Sequence, residues 1–67
     1  MIRILLNGEA RELHEATSVE ALLHQLGVDP RVVAVELDRM VVKRSQYANT
    51  LINENAEVEV VAFVGGG

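Results

Sequence analysis

The sequence has no cysteine and no tryptophan, and it contains one proline, one tyrosine and one phenylalanine. Without cysteine there is no disulfide scaffold, and the two histidines cannot complete a tetrahedral metal site unless carboxylates join them. Few aromatic rings and a net charge of −4 argue against a nucleic-acid partner. No apolar run approaches the ~18 residues that span a bilayer, and no signal peptide is recognisable. We therefore expect a soluble cytoplasmic protein that binds neither nucleic acid, membrane nor metal.

The length of 67 residues predicts one domain, residues 1–67, which we expect to be monomeric in isolation. A chain this short buries about 60% of the surface that it exposes when unfolded. Since no covalent bond between side chains supports it, its stability must come from the packing of hydrophobic residues, which make up 49% of the chain.

The first half of the chain predicts a β-hairpin followed by a helix. Apolar side chains alternate over residues 2–6, and Asn7-Gly8 is the dipeptide that favours a type I′ turn into an edge strand, residues 9–13. A capping box then marks the helix start, with the Thr17 hydroxyl accepting from the Glu20 amide. Gly27 is expected to end the helix in the left-handed conformation. The apolar stripe of this helix consists of Val19, Leu22, Leu23 and Leu26.

The second half predicts three more strands. Residues 32–37 are nearly all apolar, which is typical of an interior strand buried on both faces. Asp38-Arg39 is expected to turn this strand into a short one at residues 40–42, and Leu51 and Ile52 are expected to point inward. The last strand is predicted at residues 57–64.

These elements together predict a two-layer α+β fold in which one helix covers one face of the sheet. Val61 and Phe63 are predicted to lie on the other, open face, where exposed apolar side chains indicate a docking surface for a partner. The predicted core consists of Leu22, Leu23, Leu26, Val33, Val35, Val58 and Val60.

The three terminal glycines, Gly65, Gly66 and Gly67, need an explanation. One is a frayed end or a cloning remnant, because glycine tails are common at chain termini. The other follows from shape: a chain without Cβ atoms can enter a narrow cleft and present its carboxylate to a second reactant. Transfer of AMP from ATP would make that carboxylate an electrophile for sulfur or nitrogen. The catalytic groups would belong to a partner, since the chain has no catalytic constellation of its own.

With these motifs in place, the chain resembles the ThiS-type sulfur carrier proteins of thiamine biosynthesis, which are small ubiquitin-like β-grasp proteins. The resemblance covers essentially the whole length, but only the ending is specific by itself. It rests on residues 4–9 with the Asn7-Gly8 turn, the helix through Leu22-Leu23, residues 33–37, Val42, Arg44, Ser45, Tyr47, Leu51, residues 58–61 and the ending Phe63-Val64-Gly65-Gly66-Gly67.

The resemblance implies a β-grasp fold with a mixed five-stranded sheet on one main helix and a flexible tail, Gly65 to Gly67. It implies that the Gly67 carboxylate is adenylated by an E1-like adenylyltransferase, which uses the ATP. Sulfur from a cysteine desulfurase would convert the carboxylate to a thiocarboxylate, which would donate sulfur to thiazole synthase. The chain itself would be a carrier without cofactor or catalytic residue, not an enzyme.

Two other functions stay open at this stage. The small subunit of molybdopterin synthase is also a β-grasp carrier that ends in Gly-Gly, although the short chain and its Phe-Val-Gly-Gly-Gly ending favour the thiamine carrier. A non-catalytic ubiquitin-like interaction module or protein modifier is the third possibility.

The remaining polar groups give weaker signals. Three departures from the family pattern, Asp38-Arg39, Lys43 and Asn55-Ala56, lie in predicted turns and leave the tail unaffected. The basic group Arg39, Lys43 and Arg44 is expected to be solvated or to contact an acidic partner surface. We expect His14 and His24 to be exposed, and neither Ser18 nor Ser45 lies in a nucleophile elbow.

Overall fold

A computed structural model describes residues 1–63 and contains a five-stranded sheet, a two-stranded sheet and one α-helix. The five-stranded sheet has the order β2-β1-β7-β4-β5. The elements in chain order are β1 (Ile2–Leu6), β2 (Glu9–Leu13), β3 (Thr17–Ser18), α1 (Val19–Leu26), β4 (Val33–Leu37), β5 (Met40–Val42), β6 (Leu51–Ile52) and β7 (Glu57–Ala62). The predicted mixed five-stranded sheet on one main helix is confirmed.

Both hairpin turns of the five-stranded sheet have positive φ at their two central residues. Asn7 and Gly8 both have positive φ, 51° and 83°, as the type I′ hairpin between β1 and β2 requires. Asp38 and Arg39 also have positive φ, 51° and 70°, between the paired strands β4 and β5. The departure from the family pattern at this turn therefore leaves the hairpin intact.

The last strand lies in the middle of the sheet. β7 pairs in parallel with β1, where Leu6 is opposite Val58, and antiparallel with β4, where Ala34 is opposite Val61. The Leu5 amide also donates to the Ala56 carbonyl at 2.9 Å, just before β7 begins. The first and last strands of the described chain are thus direct neighbours.

The predicted capping box at the start of α1 is wrong. The N-cap is Ser18, whose hydroxyl accepts from the Ala21 amide at 3.0 Å. The Glu20 amide, which Thr17 was expected to cap, donates instead to the Tyr47 carbonyl at 3.0 Å. Thr17 and Ser18 both pair with β6, and the Val19 amide donates to the Thr50 carbonyl at 2.9 Å, so the helix begins at Val19 and the cap falls on Ser18.

The end of α1 agrees with the prediction. Gly27 has φ 72°, and its amide donates to the His24 carbonyl at 3.0 Å. The next amide, that of Val28, donates to the Leu23 carbonyl at 3.0 Å, which completes the cap. Pro30 then begins a short 3₁₀ helix, Pro30–Val32, that leads into β4.

The core lies between α1 and the sheet. Five of the seven predicted core residues are buried, whereas Leu26 and Val60 are only partly buried. The burial of Val19 in the helix stripe and the inward direction of Ile52 are also confirmed. The buried residues that no prediction included are Ile4, Leu13, Tyr47 and Ala56. Tyr47 is 4% exposed and follows the short 3₁₀ helix Arg44–Gln46, so it fills the core from a loop.

Two further burial predictions are wrong. The strand at residues 32–37 was expected to be buried on both faces, but Ala34 is exposed and Val32 precedes the strand in the 3₁₀ helix. The single helix covers one face only, so alternate residues of β4 remain exposed. Leu51 was expected to point inward, but it is 54% exposed beside the fully buried Ile52, because neighbouring residues of a strand face opposite sides.

Leu23→Ala should lower the free energy of unfolding by about 2–5 kcal/mol, because Leu23 is fully buried and truncation leaves a cavity. Leu51→Ala is the matched control, because the Leu51 side chain is half-exposed. It should lower the free energy of unfolding much less than Leu23→Ala does. Urea unfolding of both variants gives the comparison. Equal losses would contradict the packing of α1 described above.

Candidate functional site

The predicted reactive end, Gly65 to Gly67, lies outside the described residues, as does Val64. The structure does describe the strand that leads to it. β7 ends at Ala62, and the Phe63 amide donates to the Val32 carbonyl at 2.8 Å. The site therefore consists of this strand end and the open face of the sheet beside it.

The open face carries the two predicted docking residues. Val61 is 61% exposed and Phe63 is 55% exposed, and Ala34, opposite Val61 in β4, is exposed as well. Val41 of β5 is 74% exposed and lies with Phe63 along the same shallow groove. The predicted exposure of Val61 and Phe63 is confirmed, whereas their contact with a partner stays a prediction.

The part of the open face farther from the tail is acidic. Glu36 of β4 lies directly opposite Glu59 of β7. Glu57, two residues before Glu59, is on the same side of β7. Arg39 reaches Glu57 at 3.6 Å, but its side chain is 87% exposed, so this ion pair contributes little to stability. Two carboxylates facing each other across a strand pair are destabilising. The open face thus changes from apolar near the tail to acidic at its far end.

The other polar groups form no chemical site in the described part of the chain. His14 and His24 are exposed, and no cluster of three or more potential metal ligands occurs among residues 1–63. Ser18 is used as the helix cap. Lys43 and Arg44 lie exposed at the 3₁₀ helix that precedes Tyr47.

The arginine with a clear electrostatic role is Arg31, outside the predicted basic group. Its guanidinium and its backbone amide both donate to the Asp29 carboxylate, at 2.9 Å each, and these bonds lower the pKa of Asp29 to about 2. This contact shapes the 3₁₀ helix that leads into β4. Within residues 1–63, no helix is long and apolar enough to cross a membrane.

Comparison with known proteins gives consistent relatives. The model of the ThiS family matches residues 4–67. A crystal structure of the thiamine biosynthesis protein ThiS from Geobacter metallireducens superposes with a TM-score of 0.87 at 30% identity, over 98% of this chain and 100% of that one. A solution structure of a thiamine biosynthesis protein from the same organism gives a TM-score of 0.83 at 30% identity, over 98% and 88% of the two chains.

Curated relatives include two much longer proteins. The chain is 46% identical to a thiazole synthase of Paramagnetospirillum magneticum and 42% identical to one of Magnetococcus marinus, over 98% of its own length in each case. It spans 20% of the length of each of these two proteins. It is also 32% identical to the uncharacterized protein ycf40 of Porphyra purpurea, of which it covers 93%.

Glu59→Gln should raise the free energy of unfolding by about 0.2–1 kcal/mol at low salt, because it removes the repulsion from Glu36 across the strand pair. Glu15→Gln is the control for the change in net charge, since Glu15 is exposed and its side chain makes no hydrogen bond or ion pair within residues 1–63. Urea unfolding should show a gain at position 59 only. A gain at both positions would mean that net charge, not the facing pair, is responsible.

Proposed function

Because this chain belongs to the ThiS family, we propose that it is a sulfur carrier of thiamine biosynthesis whose reactive group is the Gly67 carboxylate. The observation that carries the proposal is the extent of the family match, which runs from residue 4 through the terminal glycines. The likeness to the two Geobacter proteins of thiamine biosynthesis supports it.

The chemistry begins with activation of the carboxylate. A carboxylate oxygen of Gly67 attacks the α-phosphorus of ATP on an E1-like adenylyltransferase, and pyrophosphate leaves. The product is an acyl adenylate, in which AMP is a good leaving group. The chain supplies the nucleophilic oxygen, while the partner supplies ATP and the groups that stabilise the charge on the phosphate.

Sulfur then replaces oxygen at the terminal carbonyl. The terminal sulfur of a persulfide, derived from a cysteine desulfurase, attacks the carbonyl carbon and AMP leaves. A thiol reductant cleaves the resulting acyl disulfide, so that one sulfur stays on the carbonyl carbon as the thiocarboxylate and the other forms a disulfide with the reductant. The thiocarboxylate is the sulfur donor to thiazole synthase.

The residue types at the end of the chain suit this reaction. A glycine tail has no Cβ atoms, so it fits a narrow cleft and leaves the carbonyl carbon open to attack. The absence of cysteine from the sequence means that no thiol of the carrier competes for the persulfide sulfur. The chain therefore acts as a substrate that successive enzymes share, and it needs no catalytic side chain.

The longer relatives support thiazole synthase as the acceptor. A segment that is 42–46% identical to this chain occupies 20% of two thiazole synthases. Joining two interacting parts in one chain raises their effective concentration, so such an arrangement is typical of parts that act together. The same relatives favour the thiamine carrier over the molybdopterin synthase subunit and over a protein modifier.

The open face beside the tail is the docking surface in this proposal. Val61 lies on β7 and Phe63 follows the end of that strand, and both side chains are exposed. A partner that covers them holds the tail next to its own active site. Interfaces of this kind depend on a few central apolar or aromatic side chains, and Phe63 is the aromatic residue available there.

Gly66→Val should abolish ATP-dependent activation while folding stays intact, because a branched side chain cannot follow the path of glycine into a narrow cleft. Adding one residue after Gly67 should do the same, since it moves the carboxylate. Pyrophosphate release and intact mass with the sulfur donor present measure both steps. An extended variant that gains sulfur as fast as the parent would contradict the role of the Gly67 carboxylate.

Phe63→Ala should weaken binding to the adenylyltransferase about tenfold, because it removes the aromatic contact at the centre of the docking surface. The far-ultraviolet circular dichroism spectrum should not change, as Phe63 is outside the core. Met40→Ala is a suitable control, since Met40 is 73% exposed on β5 and lies opposite Leu37, which packs against the core and not on the open face. Equal affinity of the parent and the Phe63 variant in a titration would rule out this surface.

A further inference from the structure

β1 and β7 do not end together, and this leaves part of β7 without a neighbouring strand. β1 ends at Leu6, opposite Val58, because the chain turns back at Asn7 into β2. β7 continues to Ala62. The next residue of β7 that faces the β1 side is Val60, and backbone groups in a sheet require a partner.

The side chain of Asn7 supplies that partner. Its Oδ1 accepts from the Val60 amide at 2.8 Å, and its Nδ2 donates to the Val60 carbonyl at 3.2 Å. The Asn7 backbone amide donates to the Val58 carbonyl at 2.8 Å. A carboxamide offers the same donor and acceptor as a peptide group. Asn7 therefore extends the pairing of β1 with β7 by one position, after the backbone of β1 has turned away.

Asparagine meets two requirements at this position. It tolerates the positive φ of 51° that the turn needs, as few other residues do. It also carries both a donor and an acceptor at the right reach from the backbone. Glycine would satisfy the turn alone, and aspartate would supply an acceptor but no donor to the Val60 carbonyl.

The strand β7 is consequently held on both of its sides around Val60. On the other side β7 is paired with β4, where Val35 is opposite Val60. Beyond Val60, the hydrogen bond from the Phe63 amide to the Val32 carbonyl holds the chain on the β4 side. The direction in which β7 approaches the tail is thus set by Asn7 on one side and by β4 and Val32 on the other.

We propose that Asn7 is a positioning residue for the carrier tail, which sets the direction in which the chain leaves the sheet toward the adenylating site. The proposal rests on the carrier function proposed above. A tail that starts from a fixed direction reaches a reactive geometry more often once the partner has docked, so the effect falls on the rate within the complex. A misplacement of reacting groups by about 1 Å can cost as much as a hundredfold in rate.

Asn7→Gly is the decisive variant, because it keeps the positive φ available and removes both side-chain hydrogen bonds. Asn55→Gly is its matched control. Asn55 also has positive φ, 69°, precedes the same strand and makes no side-chain hydrogen bond within the described residues. Both substitutions therefore remove an asparagine from a left-handed turn position, and only one removes contacts to Val60.

Two measurements follow for the full chain. In Asn7→Gly, hydrogen exchange at the Val60 amide should become about tenfold faster, because that amide loses its hydrogen bond to the Asn7 side chain. In Asn55→Gly, exchange at the same amide should stay at the parent rate. With the adenylyltransferase, kcat for pyrophosphate release should fall about tenfold in Asn7→Gly while KM stays within about twofold of the parent. Asn55→Gly should match the parent in both constants. Should Asn7→Gly fail to fold, Asn7→Asp, which keeps the acceptor, should give a smaller fall in kcat.

The outcomes separate this inference from the carrier function. Normal activation of Asn7→Gly despite faster exchange at Val60 would overturn the positioning role and leave the carrier function supported by the parent. A higher KM with unchanged kcat would also overturn it, since Asn7 would then act in docking. A parent chain that releases no pyrophosphate would overturn the carrier proposal, and the positioning role with it.

Discussion

Parallel pairing of β1 with β7 is the constraint on which the rest of the fold depends. Two parallel neighbours cannot be joined by a tight turn, so the chain between them must cross from one end of the sheet to the other. Before it returns as β7, this chain forms β2, α1, β4 and β5, and α1, which connects β2 to β4, covers one face of the sheet. β4 and β5 then fill the free side of β7, and β2 closes the free side of β1.

This arrangement determines where the described part of the chain ends. β7 is the central strand of the sheet, so it is held by neighbours on both sides rather than lying at a free edge. Since α1 occupies one face, the alternate side chains of β7 are exposed on the other. A carrier needs a rigid base for a thin reactive arm and a surface next to it that partners can recognise. In the proposed carrier function, the central strand β7 provides that base and the open face provides that surface.

Local patterns predicted the elements that local chemistry controls. Asn7-Gly8 and Gly27 identified the hairpin and the helix end, because few other residues adopt positive φ at low cost. The errors occurred where distant segments meet. The helix cap lies at Ser18 and not at Thr17 because the first helical amides donate to carbonyls of the distant loop before β6, and Tyr47 enters the core from that same loop, which has no periodic pattern. The open face was predictable, because the side chains of a strand alternate and a single helix covers one face. The Glu36–Glu59 pair and the Asn7 contact with Val60 were not predictable, because they depend on the register between strands that are distant in the sequence.

The central claim is that sulfur travels on the end of this chain. Its most direct test is to prepare the chain with isotopically labelled sulfur in a thiocarboxylate at Gly67 and to supply it to thiazole synthase with the other thiazole precursors. The account predicts that the labelled sulfur appears in the thiazole ring and that the chain returns to its carboxylate form. A labelled thiocarboxylate that persists while unlabelled sulfur enters the product would contradict it.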